Sequence, residues 1–380
     1  MRRAAPVAPP LAAALVLGLL LGCTAEQQPD ARPAPSPEAS ASACEELCLR
    51  LDPVVVGAIL PLSGPLAASG SAQRRGIEAA LQEANADGGV DVGGERREVR
   101  LETADDRGSA DAAGQFAWSF VLGRAQVTAL LAACSPPRPV LSVAEVREVP
   151  LVGTCGPLPS TGSPAPVRWL WETGPSAGAR ADAVVRALAA RGGRRLALFL
   201  SPGHAAEPWA AAAAAHGVDV AGTWTAPVLA RRERVAADWS GPVAQARAAG
   251  ADLVAAVTDS PDGVALWREL ASSGWAPRGA YASEAGRGSV WRSQVGDAAE
   301  GTLTDLVGDP AGDPDEALAA AAADATRLLV RALEAAGSDR RSAVNEALPG
   351  AGARPQGAEG GEAPPRLAQW RGDALAPLEP

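Results

Sequence analysis

The chain has 380 residues but no lysine, one tyrosine, one methionine, three phenylalanines and two histidines. Arginine therefore carries every side-chain positive charge apart from histidine. In a chain this rich in alanine and glycine, that reads as a coding bias rather than a binding device. Bases are also few: Lys and Arg total 34 against 44 Asp and Glu, for a net charge of −10. That sign works against a nucleic-acid partner, because a phosphate backbone needs a basic footprint. Metal-ligand spacing, a P-loop and a dinucleotide fingerprint are all missing, so neither a metal nor a cofactor is expected. Beyond the N-terminus there is no apolar run of the roughly 20 residues a membrane helix needs. What the chain does have is 47% hydrophobic residues and a mean hydropathy of +0.01. That is enough for a real core and for two or three compact units.

The N-terminus is the most informative local feature. Arg2 and Arg3 precede an apolar run over residues 11–21, too short to span a bilayer but suited to a secretory signal. Leu20-Leu21-Gly22-Cys23 resembles the lipobox of bacterial lipoproteins. The expectation is a signal peptide over 1–22, lipid on Cys23, and a flexible Pro/Ala/Ser tether over 23–52. The other reading is an ordinary cleaved signal with an incidental cysteine. Export implies an oxidising compartment. With Cys23 lipidated, Cys44, Cys48, Cys134 and Cys155 remain. The simplest pairing is Cys44–Cys48 and Cys134–Cys155, one of three connectivities open to four cysteines.

From Val54 onward, strand-like and helix-like segments alternate. Residues 54–60 form a β-branched apolar run. Residues 71–86 carry Ile77, Ala80, Leu81 and Ala84 on one helical face, stopped by Gly88-Gly89. Strands follow at 99–103, 127–132 and 150–153, with helices at 110–122 and 137–146 between them. The pattern restarts after a crossover strand at 167–172. Strands at 196–200, 218–224 and 253–257 then alternate with helices at 179–190, 209–216, 243–249 and 263–272. A long helix spans 317–336. Strands alternating with helices give an α/β fold with parallel, doubly wound sheets. Two successive halves suggest two lobes.

Val56-Gly57-Ala58-Ile59-Leu60-Pro61-Leu62-Ser63-Gly64-Pro65 resembles the branched-chain amino-acid-binding family of solute-binding lipoproteins, the receptors of ABC importers. The likeness continues at Gly76-Ile77-Glu78, Glu83-Ala84-Asn85-Ala86-Asp87-Gly88-Gly89, Asp105-Asp106, Cys134-Ser135 and Gly296-Asp297-Ala298-Ala299-Glu300-Gly301. It implies a type I periplasmic-binding fold of two Rossmann-like lobes joined by a three-strand hinge. Lobe 1 would hold 53–172 and 302–337, lobe 2 would hold 173–301, and 338–380 would return across the hinge. It further implies a monomer without enzymatic activity. Such a monomer closes on a small molecule and presents it to permease subunits outside the cytoplasm, touching the membrane only through its lipid.

By the same likeness Ser135 holds a ligand carboxylate and Glu284 a ligand ammonium. The second hydroxyl expected for the carboxylate falls at Pro157, leaving Thr154 nearest, with Gly156 in the same loop. Ser69, Ala205 or its neighbour His204, and Asp259 stand where the family carries tyrosines. Pro136, Pro137 and Pro139 leave the helix after Ser135 with fewer N–H donors. Asp259 and Glu284 on the closing jaw point to a polar ligand with an ammonium or amide group. Plainer readings stand beside these: Ser135 as a helix cap, Asp259 and Glu284 as solvated acids, and His204 and His216 as surface residues.

Two other classes compete. A sensing or interaction lipoprotein on the same scaffold would have no transport role. A serine hydrolase would use Ser176 in Gly174-Pro175-Ser176-Ala177-Gly178, which matches the G-x-S-x-G pattern. That chain of roles has only His204 or His216 as a base and no Gly-rich oxyanion loop ahead of it.

Overall fold

The structure is a computed structural model that describes residues 52–123, 126–134, 136–161, 167–227, 236–306, 313–358 and 365–378. For Ser260, Glu284 and Ala285 it describes the backbone alone. The signal peptide, Cys23, Cys44, Cys48 and Ser135 lie outside the described residues.

The first sheet is built around β1 (Val54–Leu60), whose seven residues are all buried. Both faces of such a strand must be covered, which is the mark of a parallel sheet inside an α/β layer. Val54, Val56, Ala58 and Leu60 face one core and Val55 and Ile59 the other. Parallel to β1 run β4 (Val99–Asp105) and β5 (Ala129–Ala132), followed outward by β6 (Leu151–Gly153) and β7 (Leu170–Glu172). Between β1 and β4 lie helix α1 (Ala67–Ala86) and a hairpin, β2 (Val90–Val92) and β3 (Glu95–Arg97), which forms a small sheet of its own. Helices α2 (Ala110–Leu122) and α3 (Arg138–Val146) lead into β5 and β6.

Helix α4 (Ala177–Ala189) opens the second lobe. The second sheet then takes β8 (Arg195–Leu200), β9 (Asp219–Thr225), β10 (Leu253–Val257), β11 (Gly279–Ala282) and β12 (Leu303–Leu306), parallel throughout. Its helices are α5 (Glu207–Ala215), α6 (Ser240–Ala248), α7 (Ser260–Ser272) and α8 (Ser289–Val295). Alternate residues of β10 face opposite cores: Val254 and Ala256 on one side, Leu253, Ala255 and Val257 on the other. These cores hold most of the tryptophans. Trp209 packs on Tyr281, and Trp291 sits between Trp267 and Trp370.

The chain then returns to the first lobe with α9 (Pro314–Ala336), α10 (Arg341–Ala351) and β13 (Arg354–Pro355), which pairs antiparallel with β7. It ends in the second sheet with β14 (Arg366–Arg371) and β15 (Ala374–Pro377), antiparallel additions beside β12. Sheet membership therefore divides residues 302–337, which the sequence placed wholly in the first lobe. β12 is bonded between β11 and β14, and only from α9 does the chain pack on the first core. The segment after 337 likewise serves both sheets. Helices α1 and α9 cross where a Cβ on Gly76 would run into the carbonyl of Ala319. This gives the Gly76-Ile77-Glu78 motif a packing reason, since only glycine lets the two backbones come so close.

The lobes are joined by three crossings: after β7, after β12 and after β13. Glu172, at the end of β7 and only 2% exposed, binds two of them together. Its carboxylate accepts from Leu158 N–H at 2.8 Å and from the Gly357 N–H of the third crossing. Burial pushes this carboxyl up to about 7, against the pull of those N–H groups and of Arg354 and Arg180.

Candidate functional site

In open α/β sheets, ligands bind beyond the carboxyl ends of the strands. Both sheets turn those ends toward one cleft, and the loops there are tied down by specific side chains. On the first lobe, Asp105 Oδ1 at the end of β4 accepts from Leu62 N–H (2.9 Å), Ser63 N–H (3.1 Å) and Arg107 N–H (3.0 Å). It thereby pins the loop after β1 to the loop after β4. Bonding to Ser63 leads the causes that hold this carboxyl below its ordinary range. Asp106 accepts from Gly108 N–H at 2.7 Å. Arg107 adopts a left-handed backbone, φ 54°, inside this clasp.

The loops after β5 and β6 are joined by a disulfide between Cys134 and Cys155, with Cα atoms 4.8 Å apart. Neighbouring parallel strands in matched register, Leu130 beside Leu151 through Ala132 beside Gly153, bring the two cysteines level. Beneath the bridge lies Gln73 of α1, 2% exposed. Its Oε1 accepts from Cys134 N–H at 3.0 Å, and its amide donates to the Ser69 carbonyl at 3.1 Å. Thr154 is fully buried and donates its hydroxyl to the Ala132 carbonyl at 2.8 Å. The Thr154 hydroxyl thus serves the inside of its own lobe. Gly156 has φ 119°, and a Cβ there would collide with the guanidinium of Arg180 from the second lobe.

The second lobe presents a charge cluster in place of this neutral wall. Asp305 on β12 is 1% exposed, and Arg180 and Arg287 are each 3% exposed. Asp305 accepts from the Tyr281 hydroxyl at 2.8 Å, pairs with Arg287, and lies 3.1 Å from Arg180 Nε. Burial alone would push this carboxyl up. The two arginine charges and the bonds from Tyr281 and Arg287 outweigh it and hold the group at about 2. Arg287 also crosses the cleft, donating from Nη1 to the Cys155 carbonyl at 2.8 Å. A second crossing joins Ser160 N–H to the Gly203 carbonyl at 2.9 Å, and a third joins the Ser289 hydroxyl to Asp315 at 2.8 Å.

The residues singled out from sequence distribute unevenly over this site. Ser69 is at the cleft: its hydroxyl lies 3.1 Å from where a Cβ on Gly288 would stand. Asp259 caps α7, accepting from Asp262 N–H at 3.3 Å, with Pro261 in the first turn. Its carboxylate is thereby engaged by its own helix. Glu284 begins a short 3-10 helix, Glu284–Arg287, whose last residue is the arginine of the cluster. His204 is half-buried beside Gly203, which makes the contact to Ser160. Helix α3 starts at Arg138 with Pro137 as cap, so it does offer few N–H donors. Ser176 caps α4, accepting from Ala179 N–H at 3.1 Å, and is 3% exposed. His216 does meet Asp182, at 2.7 Å, but Asp182 lies six residues beyond Ser176, about 9 Å along the helix.

Arg180, Asp305, Arg287 and Gln73 were not singled out. A charged residue inside an apolar strand, Leu303-Thr304-Asp305-Leu306, was the available signal for Asp305, because acids are seldom fully buried unless paired. The arginines carried no local signal.

Between the lobes, toward the loops after β1 and β4, a cavity of about 380 Å³ remains. The first lobe contributes Leu66, Ser69 and Arg107, and the second contributes Val264, Arg268 and Trp291. The described residues that line it include neither Asp nor Glu.

The family of periplasmic binding proteins matches over residues 53–361. No curated protein matches the chain. Among solved structures, the leucine-binding protein of Thermotoga maritima is 18% identical with a TM-score of 0.66, covering 86% of this chain and 98% of its own. A branched-chain amino-acid transporter substrate-binding protein of Streptococcus pneumoniae, solved with isoleucine, is 13% identical with a TM-score of 0.63, covering 87% and 100%. A putative branched-chain amino-acid ABC transporter protein of Rhodospirillum rubrum is 20% identical with a TM-score of 0.52, covering 86% and 100%. At these identities the likeness is one of fold. With a family match over residues 53–361, which takes in both lobes and the first two crossings between them, the chain belongs to the periplasmic binding proteins.

Proposed function

We propose that this chain is an extracytoplasmic receptor that closes about its hinge on a small solute of amino-acid size and delivers it to the permease of an ABC importer. In this reading it is held to the membrane by lipid on Cys23 and has no enzymatic activity. The observation that carries the reading is the cavity built from both lobes; elsewhere in the cleft Arg287 reaches from one lobe to the other. A ligand favours closure only through contacts it gains in the closed state, so it must touch both lobes. The names of the similar structures, which include leucine-binding and isoleucine-bound proteins, support a solute of this size. Ser176 as a buried helix cap gives hydrolysis no exposed nucleophile to use.

A thermal-shift screen over amino acids, organic acids, amides and amines tests the reading. A solute present at 100 times its dissociation constant stabilises by about 2.7 kcal/mol. No shift from any class would contradict a small-solute receptor. Cys23→Ala should release the protein from the membrane fraction, and retention there would contradict the lipid anchor.

A further inference from the structure

The expectation of an ammonium or amide ligand rested on two carboxylates on the closing jaw. One of them, Asp259, is engaged as the cap of α7. The cleft floor beyond β6 is occupied by the chain's own groups: the disulfide, Arg287 on the Cys155 carbonyl, and Arg180 against Gly156. Space for a solute remains at the other end, in the cavity between Arg107 and Arg268.

The chemistry of that wall differs from an ammonium site. Among the described residues its charged lining is two arginines, one from each lobe. Its apolar lining includes Leu66, Val264 and the indole of Trp291. The Trp291 Nε1–H is buried without an acceptor among the described residues, and a buried donor of that kind gains from an acceptor brought by a ligand. Ser69 adds a hydroxyl. Asp315 is the acid to weigh against this: its Oδ2 accepts from Ser289, while its Oδ1, buried without a donor among the described residues, lies 3.7 Å from where a Cβ on Gly288 would stand. Asp315 is not part of the cavity lining, and it stands at the N-terminus of α9, where a carboxylate is favoured by the helix itself.

We infer that the solute is a small organic monocarboxylate with a compact apolar body and no required ammonium group, its anion held between Arg107 and Arg268 and its body against Leu66, Val264 and Trp291. Guanidinium groups bind carboxylates with two parallel N–H donors. Because the arginines come from opposite lobes, one anion bridging them rewards closure directly. This inference rests on the receptor reading above and narrows its ligand.

The test is titration calorimetry on the full chain. Its probes are straight, branched and aryl monocarboxylates of four to eight carbons, their neutral amides, the matching amines, and leucine. Binding by at least one carboxylate and not by its amide or amine is expected. Arg107→Ala and Arg268→Ala should each weaken that binding about tenfold, and Arg107→Glu should abolish it. Circular dichroism and the unfolding midpoint should stay as in the wild type, since both arginines are exposed. Binding of amines or leucine but of no carboxylate, with loss in Asp315→Asn, would overturn the anion assignment while leaving the receptor reading intact. Carboxylate binding unchanged in both arginine variants would overturn the site. No binding by any probe class would overturn both readings.

Discussion

The two walls of the cleft are made by opposite means. At the ends of β5 and β6 on the first lobe, the side chains that hold the wall are neutral and bonded within the lobe: Gln73 joins Ser69 to Cys134, Thr154 bonds to Ala132, and a disulfide fixes the loops. On the second lobe, one carboxylate faces two guanidiniums in a buried cluster, and one of those guanidiniums reaches out to the opposite wall. The first is a covalently set seat and the second a charged jaw. A seat must keep its shape whether or not the jaw touches it, so its bonds are internal. A jaw that closes must gain something by it, and part of this cluster's bonding capacity is directed outward, to the Cys155 carbonyl of the facing lobe.

The contrast can be broken most forcefully at Asp305. Asp305→Asn leaves two buried arginines without their counter-charge, and breaking a buried pair costs about 3–5 kcal/mol. Denaturant unfolding measures it, and a loss below about 1 kcal/mol would mean that the jaw does not depend on charge. The seat responds to a different change. Replacing Cys134 and Cys155 together by serine should cost about 3 kcal/mol, mostly through the unfolded chain. The Arg287 contact should survive, because it uses the Cys155 carbonyl and not its sulfur. Loss of ligand binding with stability unchanged would reverse that assignment.

Glu172 sharpens the comparison from the hinge, where neither wall dominates. Its carboxyl stands near 7 in the folded protein against an ordinary 4.5, so the native state holds the proton more tightly than the unfolded chain. Native stability from this group is complete below about pH 4.5 and is lost as pH rises through about 7, a decline of about 3 kcal/mol. Glu172→Gln should flatten that part of the pH–stability curve. An unchanged slope between pH 4.5 and 7 would show that the proton is not held there.

Much of this architecture is legible in the sequence because its signals are local. The β-branched run of β1, the apolar face of α1 with Gly88-Gly89 at its end, and helix α2 at 110–122 each follow from periodicity and stop signals within one element. The β2–β3 hairpin escaped, although Gly93-Gly94 is a turn signal, because each strand has only three residues. β11 and β12 have four residues apiece, too few to show a period. The Cys134–Cys155 bridge, part of the simplest pairing in the sequence, forms because β5 and β6 are neighbours in matched register. The Arg180–Asp305–Arg287 cluster could not be foreseen in that way, because it gathers a helix, a strand and a short 3-10 turn distant in sequence. Asp259 could have been assigned as a cap from Asp259-Ser260-Pro261-Asp262 alone, since an acid just before a first-turn proline is a helix-start signature.

The central claim, that the two lobes close on a solute, is tested most directly by small-angle X-ray scattering. The ligand-free chain would be compared with the chain saturated by the solute giving the largest thermal shift, with occupancy checked by calorimetry. The account predicts a smaller radius of gyration with solute bound, and a loss of that compaction in Arg287→Ala. Identical scattering curves with and without bound solute would contradict it.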